Sequence, residues 1–357
     1  MPLKCELDGQ VCYSFTYSPT EWEALKASRK ERDMRMPCCG RGAIPKTSAL
    51  GTQFFAHARR GECESGQETR EHLLAKYLVA RGAHAAGWAV DVEHCGETPD
   101  GEAWVADVFA TKRRVKVALE VQWSPQSEQE ARRRQERYRK SGVRGAWFLR
   151  PRRGYNPSFL GILAERATPS FVIQLADSGQ DFHIGRSQVP LSDFVEDLLS
   201  GRVRWSPLPG EQGSIGPLVL EETCWKCRQL TGVIASVALE DSHGFRVGTL
   251  GYDDPRIRED LLRMAADPEL RRRYRIGRLT HRHSRTEGRA YFSNGCFHCG
   301  ALQGRFFIRE ALLEVLVTHT PDPVSWHPFV FSEELARDLG RWSIAGRHME
   351  HDEEEDG

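Results

Sequence analysis

The sequence contains no run of 18 apolar residues, and its first 30 residues lack the basic-then-apolar pattern of a signal peptide. These absences predict a cytoplasmic protein with no membrane partner. Net charge is also missing, with 50 Lys and Arg against 50 Asp and Glu. No global basic field gathers nucleic acid, so any such role must come from local patches. Lysine is scarce, at nine of the 50 basic residues. Arginine makes bidentate phosphate contacts better than lysine, but a GC-rich genome gives the same bias, so the scarcity decides little. Lys112-Arg113-Arg114, Arg132-Arg133-Arg134 and Arg271-Arg272-Arg273 are basic runs, and Glu350 to Asp356 is an acidic tail. Taken singly, each run reads as a solvated face.

What is present suits two or three soluble domains: 357 residues, 39% hydrophobic and 28% charged. Ten cysteines in a reducing compartment point to metal sites or free thiols rather than disulfides. Residues 1–66 carry Cys5, Cys12, Cys38, Cys39 and Cys63 with His57 among many turn residues, and read as a small β-rich module. A helix is expected over 68–80, stopping at Gly82. Alternating strands follow over 88–93, 104–110 and 115–122, the last two joined as a hairpin. Ser127-Glu128-Gln129-Glu130 is a capping-box sequence that opens a helix to about Lys140, and 143–149 reads as another strand. The order is helix, three strands, helix, strand. A strand-rich extension with a short helix over 191–199 comes next, then a Pro/Gly-rich linker over 207–217. Expected domains are therefore 1–66, 67–206 and 218–345, followed by a tail over 346–357.

One constellation carries chemistry. Hydrolysing a phosphodiester requires an activated water and a stabilised leaving oxygen, and a divalent metal supplies both. Mg²⁺ takes hard oxygen ligands, commonly one or two carboxylates. Asp107 lies in a largely apolar strand, and Glu120 shares a strand face with Lys116, Ala118 and Gln122. The hairpin can set Asp107 beside Glu120. Carboxylates near a buried sheet call for a partner or a metal, although a solvated polar face produces the same pattern. On the preceding helix, Glu68, His72 and Lys76 fall at i, i+4 and i+8 with Glu71 beside them. They form either an exposed ladder or a second layer of the site, with Glu71 as a further ligand to metal or water and His72 and Lys76 facing the phosphate.

The ordered segments Phe54-Phe55-Ala56-His57, Glu71-His72 with Lys76, Ala106-Asp107-Val108, Glu120-Val121-Gln122 with Ser124, Arg134 with Tyr138, and Ala146-Trp147-Phe148-Leu149 resemble the CoiA-like competence nuclease family of the PD-(D/E)XK superfamily. The resemblance covers about residues 36–150. It implies an α+β fold with a restriction-endonuclease-like core, and a site in which Asp107 and Glu120 bind Mg²⁺ or Mn²⁺. Gln122 stands where most of that superfamily has lysine, which removes the usual charged activator; Lys76 can substitute from the helix. On this reading Arg132, Arg134 and Tyr138 would hold DNA.

Cys224-Trp225-Lys226-Cys227 and Cys296-Phe297-His298-Cys299 are two C-x-x-C knuckles, together a four-thiolate shell of the kind that binds structural Zn²⁺. The 68 residues between them are many for a ribbon, so an insertion has to bring the pairs together. Cys38, Cys39, His57 and Cys63 are candidates for a second zinc, with Cys5 or Cys12 as substitutes because adjacent cysteines rarely share one ion. His281 and His283 lie in a basic stretch read as a solvated or nucleic-acid-facing loop. The expected function is a metal-dependent nuclease acting on DNA in uptake, recombination or defence against foreign DNA. The alternative is a non-catalytic zinc-containing module that binds nucleic acid or recruits a helicase, ATPase or recombination protein.

Overall fold

The computed structural model describes residues 3–59, 68–124, 126–150, 166–185, 189–318, 321–344 and 347–348. The chain divides into two compact units, residues 1–204 with 342–357, and residues 205–341.

The first unit opens with strands β1 (Lys4–Leu7) and β2 (Gln10–Tyr13), helix α1 (Pro19–Ala27), and strands β3 (Met34–Arg35), β4 (Ala43–Thr47) and β5 (Gln53–His57). Cys5, Trp22, Leu25, Met34, Met36 and Phe55 form a small core of their own. Helix α1 starts on a reciprocal capping box: Ser18 accepts from the Glu21 N–H, and the Glu21 carboxylate accepts from the Ser18 N–H.

Helix α2 (Arg70–Ala85) follows. Thr69 caps it by accepting from the His72 N–H at 3.2 Å. It does not stop at Gly82. A β-carbon there would lie 2.2 Å from the Ser192 carbonyl oxygen, so the glycine serves close packing and the helix runs past it. Strands β6 (Ala89–Glu97), β7 (Ala103–Lys112) and β8 (Val115–Gln122), helix α3 (Glu128–Lys140) and strand β9 (Arg144–Leu149) complete the expected order. Then come β10 (Ser170–Leu175), β11 (Phe182–Ile184), β12 (Val189–Pro190) and α4 (Leu191–Leu199).

One seven-stranded sheet has the order β12-β11-β10-β9-β8-β7-β6. Strands β6, β7 and β8 are antiparallel neighbours, and β8-β9 and β9-β10 are parallel. The sheet has two unlike faces. Val117, Leu119 and Val121 of β8 pack with Leu73, Leu74, Leu78 and Phe194 in the main core. Ala118 and Phe109 turn the other way, toward Tyr138 of α3. Because strand side chains alternate, this arrangement commits the even positions 118, 120 and 122 to the α3 face.

In the second unit, strands β13 (Gln212–Thr223), β14 (Leu230–Glu240), β15 (Arg246–Gly251), β16 (Ile276–Ser284), β17 (Arg289–Cys296) and β18 (His327–Val330) form a sheet around Val233, Val237, Leu261, Ile276 and Phe329. The second half of the expected linker over 207–217, residues 212–217, is strand β13. Gly213 and Gly216 mark close approach rather than freedom: a β-carbon on Gly213 would meet the Glu240 carbonyl oxygen at 2.1 Å. The stretch around His281 and His283 is likewise ladder, with His281 opposite Phe292 and His283 opposite Ala290. Among the described residues no helix is long and apolar enough to cross a membrane.

Candidate active site and metal centres

The site forms where two strands part. β7 pairs with β8 from Lys112↔Val115 to Val108↔Leu119. Beyond that point β7 continues along β6 to Ala103, and β8 continues along β9 to Gln122. Asp107 and Glu120 are the next residues on each strand, at the mouth of the split. The Val121 N–H has left the β7 ladder, and the Asp107 carboxylate accepts from it at 2.9 Å. A side chain thereby satisfies a backbone donor that the divergence would otherwise orphan.

Glu120 is 1% exposed. Burial, and then the neighbouring Asp107 carboxylate, push its carboxyl up to about 8. Two groups of α3 offset this: the Arg134 guanidinium donates to Glu120 Oε2 at 2.5 Å, and the Tyr138 hydroxyl lies against Oε1. Arg134 also reaches Gln122 Oε1 at 3.4 Å and covers the Trp147 ring at 5.2 Å. Gln122 itself turns its amide N–H to the Ser124 carbonyl at 2.5 Å.

From the other side α2 delivers Lys76, only 2% exposed. Its ammonium lies 2.7 Å from Glu68 Oε1, 3.6 Å from Asp107 Oδ1, and against the Glu93 carboxylate. His72 stands 3.4 Å from Glu68 and stacks on Trp123, with ring centroids 6.0 Å apart; burial lowers its pKa. The structure thus gathers Asp107, Glu120, Gln122, His72, Lys76 and Arg134.

The remaining expected residues are Glu71, Tyr138 and Arg132, and the structure excludes the expected role of Tyr138 alone. Glu71 is half-buried, and the carboxylates that meet Lys76 are those of Glu68, Glu93 and Asp107. Tyr138 is 1% exposed, with its hydroxyl 3.0 Å from the Val105 carbonyl oxygen, and so has no free face on which a nucleotide could stack. Arg132 is exposed on the side of α3 that borders a cavity of about 1010 Å³, together with Gln135, Glu136 and Arg139. Glu93 was missed, because only tertiary structure brings it to Lys76.

A family comparison bears on this unit. Residues 68–158 match the family model described as competence protein CoiA, nuclease-like domain. The match spans every polar group of the site just described, from Glu68 to Tyr138. No curated protein matches the chain.

The cysteine pairs outside the CoiA-like domain have metal-site geometry. The sulfurs of Cys224, Cys227, Cys296 and Cys299 lie within 4.8 Å of one another, with Cys224–Cys299 at 3.7 Å and Cys227–Cys296 at 3.6 Å. Zn–S bonds of about 2.3 Å in a tetrahedron set sulfurs about 3.8 Å apart, so the four thiols can hold zinc. The two knuckles repeat one backbone plan. Arg228 N–H donates to the Cys224 carbonyl at 2.9 Å, and Gly300 N–H donates to the Cys296 carbonyl at 2.9 Å. Arg228 and Gly300 adopt matching left-handed angles, φ 63° and 69°. Parallel pairing of β14 with β16 and the β16–β17 hairpin carry the second knuckle to the first, so the connection is sheet as well as helix.

At the N-terminus, Cys38 and Cys39 lie 3.8 Å and 3.3 Å from His57 Nε2. This trio can also hold a metal. Both adjacent cysteines reach the histidine, whereas Cys5 and Cys12 face each other across β1 and β2. Cys63, the fourth expected ligand, lies outside the described residues.

Proposed function

We propose that the chain is a metal-dependent nuclease that hydrolyses DNA phosphodiester bonds, with its reaction centre at Asp107 and Glu120 in a restriction-endonuclease-like core. The observation that carries this reading is the parting of β7 and β8 at those two carboxylates, with a buried lysine on one of them.

The donor set fits Mg²⁺ or Mn²⁺: two carboxylates side by side, one of them driven toward its protonated form by burial and by its neighbour's negative charge. Asp107 and Glu120 would hold the ion, which when bound polarises the phosphate and makes water nucleophilic at neutral pH. The rest follows from the chain's own groups. Lys76 places a fixed positive charge at Asp107, where Gln122 brings none, and can orient water or phosphate there. Gln122 and Arg134 line the same edge and can donate to phosphate oxygens. Such contacts to the nucleic-acid backbone are sequence-independent and weaken with salt. A DNA-processing role in uptake, recombination or defence fits this chemistry, with the zinc-bearing unit as the part that would recruit a helicase, ATPase or recombination protein.

The test is cleavage of supercoiled and single-stranded DNA with Mg²⁺ or Mn²⁺ by the full chain, by Asp107→Ala and by Glu120→Ala. Metal-dependent cutting lost in both variants supports the reading. DNA binding with no cutting under either metal supports instead a non-catalytic nucleic-acid-binding role.

A further inference from the structure

Glu93 occupies the left-handed region, φ 52°, in the middle of strand β6. Its neighbours keep their places in the ladder, with Val92 opposite Val108 and His94 opposite Ala106. Position 93, which faces Asp107, drops out of the pairing. Left-handed backbone is unfavourable for a residue with a β-carbon, and glutamate is not among the types that tolerate it; it persists where surrounding structure demands it, often at functional sites. Here the departure aims the Glu93 carboxylate at the Lys76 ammonium.

Lys76 has a long flexible stem and a compact charge. Glu68, just ahead of α2, holds that charge from the helix side at 2.7 Å. Asp107 is farther away, at 3.6 Å. Glu93 supplies the pull from the sheet side. Without it the ammonium is free to settle on Glu68 and leave Asp107. We propose that Glu93 is a positioning residue of the nuclease site, holding Lys76 against Asp107 so that a fixed cation stands beside the reacting phosphate. This rests on the nuclease reading.

The experiment is a double-mutant cycle read by single-turnover DNA cleavage, with Asp107→Ala as the control. Glu93→Gly removes the carboxylate and relieves the backbone together. It should melt at or above the wild-type temperature, bind DNA as tightly, and cut at least tenfold more slowly. Glu93→Gln should also slow cutting at least tenfold. Lys76→Met should lose at least as much, and Glu93→Gln/Lys76→Met no more than Lys76→Met alone. Cutting by Glu93→Gly within twofold of wild type, or losses that multiply in the double variant, would overturn the proposal. Calorimetric Mn²⁺ titration gives an arm independent of turnover. Glu93→Gln should change the Mn²⁺ dissociation constant when Lys76 is present and leave it unchanged in the Lys76→Met background; an equal change in both backgrounds refutes the positioning role. Equal cutting by wild type and Asp107→Ala would instead refute the nuclease reading itself.

Discussion

Replacing Asp107 in two ways separates its structural duty from its chemical one. In the native chain its carboxylate accepts the Val121 N–H at 2.9 Å and lies 3.6 Å from the Lys76 ammonium. Asp107→Asn keeps an oxygen acceptor for Val121 and leaves Lys76 its contacts with Glu68 and Glu93. Asp107→Ala leaves the Val121 N–H without its partner, and an unmet buried donor costs about 1–3 kcal/mol. Both substitutions remove the charge that a divalent ion needs. Urea denaturation of the nuclease-like unit should therefore rank wild type and Asp107→Asn together, with Asp107→Ala about 1–3 kcal/mol lower. Metal-dependent cleavage should fall by at least about three orders of magnitude in both, the scale at which losing a key electrostatic group costs several kcal/mol of barrier. Equal stability of the alanine and asparagine variants would refute the role assigned to the hydrogen bond. Cleavage by Asp107→Asn near the wild-type rate would refute the site.

With no divalent ion bound at this site, Glu120, raised to about 8 in the fold against an ordinary 4.5, keeps a proton that the unfolded chain has released; the stability this one group contributes is fully present below about pH 4.5 and is lost as pH rises toward about 8, by up to about 1.4 kcal/mol per pH unit. Glu120→Gln should flatten that slope, and an unchanged slope in chemical denaturation at pH 5.5 and 7.5 would contradict the assignment. Cys224→Ser or Cys299→Ser should release one zinc per chain, measured by metal analysis, and lower the melting temperature of the second unit while sparing that of the first; full zinc retention in both would contradict a four-cysteine centre. Gly82→Ala drives a β-carbon into the Ser192 carbonyl and should destabilise the α2–α4 packing by about 1–3 kcal/mol, read by denaturation.

The elements around the site were legible because local signals agreed with tertiary demand. Strand β8 alternates over Val115–Gln122, and Val117, Leu119 and Val121 pack in the main core, so periodicity alone assigned Glu120 and Gln122 to one face. Ser127 caps α3 by accepting the Glu130 N–H at 3.2 Å, as its sequence predicts. The two C-x-x-C pairs announced a shared centre. The sequence carries a signal for α1 as well: Ser18-Pro19-Thr20-Glu21 joins a capping box to proline in the first turn. What stayed hidden depended on contacts distant in sequence. Gly82 looked like a helix stop because its packing partner, Ser192, is 110 residues away. Tyr138, inside an arginine-rich helix, looked solvent-facing until β7 and β8 closed over it. Glu93 had no local mark at all; its backbone conformation makes sense only once Lys76 and Asp107 are beside it.

The proposed site requires Asp107 and Glu120 to hold one divalent ion together. Anomalous diffraction from crystals soaked in Mn²⁺ tests it most directly. A single strong peak shared by the two carboxylates is expected, with Arg134 drawn off Glu120. Mn²⁺ confined to other surfaces, with Arg134 still paired to Glu120 at saturating metal, would contradict it.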